Sequence, residues 1–199
     1  GTQTWAENMD LMFTFRGIPC VYYGSEVEFK KGELIDKGTL ISLENSGRAY
    51  FGDYLEGTVK ATDFSEYTAS GTVADTLASP LSKHLSKVNA IRRAIPALQK
   101  GQYTASSTYV TGGDMSYVRR YTDDNTDSLA LVSISSGATF KNIPNGKYVD
   151  AVTGDVKYVT DGTLTVPELA KANMRVYVCC ASGFTGIDGQ IGGDSAYAK

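Results

Sequence analysis

The decapeptide Gly17-Ile18-Pro19-Cys20-Val21-Tyr22-Tyr23-Gly24-Ser25-Glu26 decides how the first half of the chain is read. Between its first two glycines lies a short apolar run without polar alternation. That pattern fits a strand covered on both faces, as in a parallel sheet. The preceding stretch, TWAENMDLMFTFR at 4–16, is predicted as a helix. Thr4, with Glu7 three residues on, matches a capping box. Trp5, Met9, Leu11, Met12, Phe13 and Phe15 cover more than one narrow stripe, so this helix needs burial on most sides. Gly17 ends it. Helix, tight turn and buried strand make one αβ step of an α/β fold.

Downstream, residues 25–78 show little periodicity and scattered aromatics. A connection this long inside a compact domain is usually functional or carries small elements of its own. Short helical turns are expected near 48–56 and 72–78. Residues 80–99 form the clearest helix, with Ser79 as N-cap and Pro80 first inside. Leu81, Leu85, Val88, Ile91 and Ile95 make its apolar stripe. Pro96 kinks the last turn and Gly101 closes it.

From 102 to 181 the pattern changes to runs of Val, Tyr, Thr and Ile broken by GGD, DDNTD, PNG, TGD and DGT. Strands are expected at about 106–111, 115–122, 128–135, 138–141, 147–151, 156–160, 163–166 and 174–181, an antiparallel β-sandwich. Residues 182–199 are small, polar and glycine-rich and read as a linker or tail.

Composition excludes several functions. With 42% hydrophobic and 21% charged residues, the chain is no disordered polymer. Its net charge is −3 with both signs interleaved, so no basic stripe awaits a nucleic acid. No apolar run approaches the roughly 20 residues that span a bilayer. Cys20, Cys179 and Cys180 form no CxxC or Cys/His set, so no metal site is expected from them. Cys179 and Cys180 are neighbours that point to opposite faces of a strand and read as free thiols.

The segment GIPCVYYGSE at 17–26 resembles a motif of the α-amylase family of glycoside hydrolases. The resemblance implies the eighth strand of a catalytic (β/α)8 barrel. NAIRRAIPALQKGQY at 89–103 is similar to the family's eighth barrel helix, and DMSYVRRYTDDNTDSLALVSIS at 114–135 to early strands of its carboxy-terminal β-domain. The resemblance covers about 1–181. The implied class is α+β as a fragment: residues 1–101 are the last αβα segment of the barrel, 102–181 an antiparallel β-sandwich, and 182–199 a tail. A whole barrel takes about 250 residues. Gly1 is not an initiator methionine, and the sequence reads as beginning in mid-fold after the seventh strand.

Family members that retain anomeric configuration use a carboxylate nucleophile and a carboxylic acid flanking the scissile bond. The resemblance places these carboxylates upstream, so no catalytic residue is assigned. The expectation is the carboxy-terminal portion of a secreted, extracellular starch hydrolase, inactive alone. Its partners would be an α-glucan and the remainder of the barrel, with self-association through exposed barrel helices. Tyr23, Glu26, Arg48, Tyr50 and Asp53 are the sugar-binding candidates: aromatic faces and polar groups on the loop over the active-site face. Asp36, Asp53, Glu56 and Asp63 match no calcium loop, so no cofactor is assigned, although the parent enzyme could hold calcium. His84, the single histidine, is expected to pack at a helix edge, and no motif serine supports a hydrolase triad. The alternative is a starch-binding or structural β-domain, with Tyr103, Tyr109, Tyr117 and Tyr121 as exposed aromatics.

Overall fold

The computed structural model describes residues 1–22, 24–27, 59–61 and 67–199. They fall into two compact bodies: residues 1–20 with 84–199, and residues 21–83.

In the first body, helix α1 spans Thr2–Thr14 and buries Ala6, Met9, Asp10, Phe13 and Thr14. These positions follow the three-to-four spacing of one helix face. The burial is narrower than the sequence implied, because Met12 stays exposed. The expected capping box is absent. The helix starts one turn earlier, on the Gly1 carbonyl, which accepts from Thr4 N at 2.9 Å, with no side-chain cap.

The expected buried strand at 17–24 is also absent among the described residues: 18–22 form no strand. Ile18 is 95% exposed, and Cys20 and Tyr22 are exposed too. A parallel strand takes its ladder and its cover from neighbouring strands. An apolar run without them has no reason to be extended or buried.

The predicted single helix at 80–99 is two. Helix α3 spans Pro80–Ala94 and helix α4 spans Pro96–Lys100, with Ile95 extended between them (φ −116°, ψ 105°). Pro96 pushes the residue before it out of the helical region, so it breaks the helix rather than kinking it. Gly101 follows with an ordinary negative φ, so left-handed geometry is not its role. A Cβ there would sit 2.2 Å from the Ala97 carbonyl oxygen and 2.9 Å from that of Arg120. The residue is small because two backbone segments meet on it.

The β-region is close to the sequence reading. Strands β3 (Gln102–Thr104), β5 (Ser116–Thr122), β6 (Asp127–Ile134), β8 (Gly146–Asp150), β9 (Val156–Val159) and β11 (Met174–Cys179) form one sheet in the order β3-β5-β6-β11-β8-β9. Strands β4 (Val110–Thr111), β7 (Ala138–Phe140) and β10 (Leu164–Val166) form a second, ordered β10-β7-β4. All pairings are antiparallel. Val118, Leu129, Leu131, Tyr148, Tyr177 and Cys179 of the large sheet share a core with Val110, Phe140, Leu164 and Val166 of the small one. These antiparallel sheets on one core are compatible with a β-sandwich.

The large sheet is covered on its other face as well. Strand β6 is buried at seven of its eight positions, and helices α1 and α4 lie against β6, α4 also against β5. Polar ties complete that layer. Arg119 donates to the Thr14 carbonyl at 2.7 Å and the Gly101 carbonyl at 2.9 Å. Arg92 donates to the carbonyls of Phe13 (3.0 Å), Phe15 (3.1 Å) and Gly17 (2.5 Å). The last carbonyls of a helix lack partners and carry its negative end. Helix α1 has no basic residue in its last turn, and two distant arginines fill that role.

Residues 182–199 contain no helix or strand, yet they are laid against the body. Thr185 N donates to Asp127 O at 2.7 Å and Ile191 N to Ala151 O at 2.8 Å. Ser195 and Ala198 are buried.

The second body contains strand β1 (Val59–Ala61) paired antiparallel with β2 (Tyr67–Ala69), and helix α2 (Gly71–Ala78). Helix α2 stands where a turn near 72–78 was expected. The turn expected near 48–56 lies outside the described residues.

Candidate functional site

Of the five sugar-binding candidates, Glu26 is described; Tyr23, Arg48, Tyr50 and Asp53 lie outside the described residues. Glu26 sits on a single 3₁₀ turn, Ser25–Val27, and is partly exposed. Two bonds fix that turn. Ser25 N donates to Tyr22 O at 3.1 Å, and Ser82 Oγ donates to the Glu26 carbonyl at 3.0 Å. Ser82 is itself set by the helix cap, its N–H donating to Ser79 Oγ at 3.2 Å. The Glu26 backbone is therefore anchored, with the residue partly exposed. Asp36, Asp53, Glu56 and Asp63 lie outside the described residues. Among the described residues no three His, Cys, Asp or Glu side chains converge as metal ligands.

The four tyrosines of the β-domain do not form one exposed set. Tyr117 is buried, and with Phe15 and Tyr103 it makes an aromatic cluster of ring centroids 4.7–5.6 Å apart. Its hydroxyl lies 2.7 Å from Thr14 Oγ1. Tyr121 is half-buried, with Lys100 Nζ 5.3 Å from its ring. Tyr109, 40% exposed, is the tyrosine of the four that opens most to solvent.

Tyr109 also borders a cleft of about 210 Å3, lined further by Thr104, Arg120, Asn142 and the apolar Val118, Leu129 and Ile143. The Arg120 guanidinium is held bidentate by Asp127, at 2.9 and 2.7 Å, and stands 5.5 Å from the Phe184 ring. Asn142 Nδ2 donates to Thr108 O at 2.8 Å. A tyrosine rim, a pre-set planar cation and an amide over an apolar floor suit a small polar molecule with hydroxyls. Arg120 and Asn142 are 22 residues apart in sequence, and no spacing pattern joins them.

A third grouping joins residues remote in sequence. His84 is fully buried. Its Nε2 is 2.9 Å from Asp10 Oδ1 and 3.2 Å from the Ala6 carbonyl. Its Nδ1 is 3.0 Å from Ser195 Oγ. The expected helix-edge packing is thus a polar contact chain. The distances are those of a Ser–His–Asp triad, but the setting is not. The ring and the carboxylate have no exposed surface, and Ser195 Oγ already accepts the Tyr197 N–H at 3.2 Å. A nucleophile must reach its substrate, so the grouping is structural. Both Asp10 oxygens lack an aligned hydrogen bond among the described residues; the His84 N–H is better directed at Ala6. Burial pushes the Asp10 carboxyl up to about 6, against the pull of His84. Lys87, one turn along, donates to the Ala198 carbonyl at 3.1 Å, and burial lowers its ammonium pKa.

No family model matches the chain. A curated protein, the α-amylase of Streptomyces lividans, is 31% identical over 167 residues, covering 84% of this chain and 17% of its own length. This likeness fits the α-amylase family of glycoside hydrolases. The chain spans about a sixth of the length of that relative. A crystal structure of a cyclomaltodextrin glucanotransferase with a three-domain ABC distribution matches 89% of this chain and 32% of its own, at 18% identity and a TM-score of 0.46.

Proposed function

We propose that this chain is the carboxy-terminal portion of a secreted, retaining α-glucan hydrolase whose catalytic carboxylates lie upstream, and that alone it does not hydrolyse starch. The observation that carries this reading is the alignment over 84% of the chain to a protein named α-amylase that is far longer. The family's retaining chemistry needs two carboxyl groups facing each other across a sugar, about 5 Å apart. Two carboxylates that this chain buries are committed elsewhere. Asp10 meets His84, and Asp150 accepts from Val152 N, Thr153 N and Val176 N. In this reading residues 17–24 become the eighth barrel strand when the neighbouring strands are present, which would cover Ile18. Glu26, with Tyr23, Arg48, Tyr50 and Asp53, then faces the glucan. Without the rest of the barrel, the exposed faces favour self-association.

The test is release of reducing sugar from soluble starch by the purified chain. No release is expected. Hydrolysis that survives repurification overturns the assignment of the catalytic groups upstream.

The cleft at Tyr109 favours a second reading, a starch-binding β-domain. Retention on insoluble starch that Tyr109→Ala abolishes supports it; retention unchanged by that substitution removes the cleft from consideration.

A further inference from the structure

We infer that residues 190–199 form a strap whose closure is coupled to protonation of the buried pair formed by Asp10 of helix α1 and His84 of helix α3. Three observations support this. The first is the contact chain itself. If the imidazole carries its proton on Nε2, toward Ala6 O and Asp10, then Nδ1 is free to accept the Ser195 hydroxyl. Ser195 Oγ in turn accepts the Tyr197 N–H. One of the bonds that hold the strap, Ser195 to His84, therefore depends on where the histidine proton sits.

The second is that the strap meets the same face of helix α3 twice more. Lys87 Nζ donates to Ala198 O, and the Tyr197 ring stands edge-on to the His84 ring with centroids 5.5 Å apart. Further anchors are Ile191 N to Ala151 O, Lys199 N to Asn173 Oδ1 at 3.3 Å, and Arg175 to the Lys199 carbonyl.

The third is the state of Asp10, fully buried with neither oxygen in an aligned hydrogen bond among the described residues. An ionised carboxylate in such a place is costly unless a proton or a cation offsets it. Ser195 and Tyr197 of the strap lie on His84, so opening it would bring water to the ring beside that carboxylate and lessen the cost.

The surrounding charges are mixed. Glu7, one turn earlier on α1, disfavours ionisation of Asp10, while His84 and Lys87 on α3 favour it. Asp194 on the strap, with Asp150 and Arg175 on the sheet, act on Lys87. Burial outweighs the favourable pair and raises the Asp10 carboxyl from 3.8 to about 6. A raised carboxyl means that the closed form holds a proton the open form releases. Closure is then strongest below about pH 4, weakens as pH rises through about 6, and levels off above. Two pH units correspond to at most about a hundredfold change in the open-to-closed ratio.

Hydrogen exchange on the full chain, read by mass spectrometry at about pH 5 and about pH 8 and corrected for intrinsic rates, tests this. Peptides from 190–199 should lose about tenfold of their protection at the higher pH while those of β6 do not, and Asp10→Asn should remove the difference. Equal protection at both pH values in the unmodified chain overturns the proposal, as does an Asp10→Asn chain that keeps the difference. Nitrogen-15 NMR gives a readout needing no variant, because His84 is the single histidine. The neutral ring should carry its proton on Nε2; a neutral ring protonated on Nδ1 overturns the proposal.

Discussion

Arg119, on strand β5, donates from Nη1 to the Thr14 carbonyl at 2.7 Å, so a sheet residue completes the end of a helix more than a hundred positions upstream. Its second amino group serves the Gly101 carbonyl. The planar fork spans two acceptors that a point-like ammonium cannot. Arg119→Ala should cost about 2–4 kcal/mol, because it leaves buried carbonyls unsatisfied. Arg119→Lys should recover less than half of that. Urea unfolding followed by circular dichroism measures both, and a loss under about 0.5 kcal/mol for the alanine variant would show that the carbonyls find other partners.

Gly101→Ala isolates a steric effect. Its φ is one that alanine adopts freely, so backbone strain is not at issue. The added methyl would meet the Ala97 and Arg120 carbonyls below contact distance. Backbone atoms cannot swing aside as a side chain does, so a loss of about 2 kcal/mol or more is expected. The melting temperature reports it, and a variant as stable as the parent would mean that helix α4 can move off the sheet.

Ser79→Ala removes the cap of helix α3, whose Oγ accepts the Ser82 N–H. The expected cost is about 1 kcal/mol, with Ser79→Asp close to neutral. Thermal melts of the two variants separate a capping effect from general intolerance of change at this position.

Alkaline pH should unfold the β-region through its tyrosines. Burial pushes the phenols of Tyr117, Tyr148 and Tyr177 well above their ordinary value of 10. The folded state keeps these protons where the unfolded state gives them up. Stability is thus intact below about pH 10 and falls as pH rises beyond it. Ultraviolet titration should show a late tyrosine step that coincides with loss of circular dichroism. Ionisation of all the tyrosines in one early step, with the fold intact, would contradict the burial.

The β-region was legible because alternation and turn residues are local signals. DDNTD at 123–127 and GGD at 112–114 separate runs that become strands. The cap at Ser79 is local in the same way. The run at 17–24 is hard to read because an apolar segment reports a need for cover, not its presence; with no strand paired to 18–22 among the described residues, Ile18 faces water. Pro96 is plain in the sequence, but the apolar stripe that runs through Ile95 masks the break it imposes there. The His84 chain was out of reach, since Asp10 and Ser195 lie 74 and 111 positions from the histidine and no pattern joins them. Most of the proposed sugar site lies outside the described residues, so Glu26 is the part of it with a structural position.

Strand β9 ends the large sheet, and three of its four residues, Val156, Lys157 and Tyr158, face water. Tyr158 is 74% exposed, and Lys157 Nζ lies 3.5 Å from Asp155 Oδ2. An open edge invites a strand from a second molecule, and a charged side chain there discourages it. Among the described residues Lys157 is thus the charge that keeps this edge unattractive to a second molecule, a contribution to colloidal behaviour rather than to the fold.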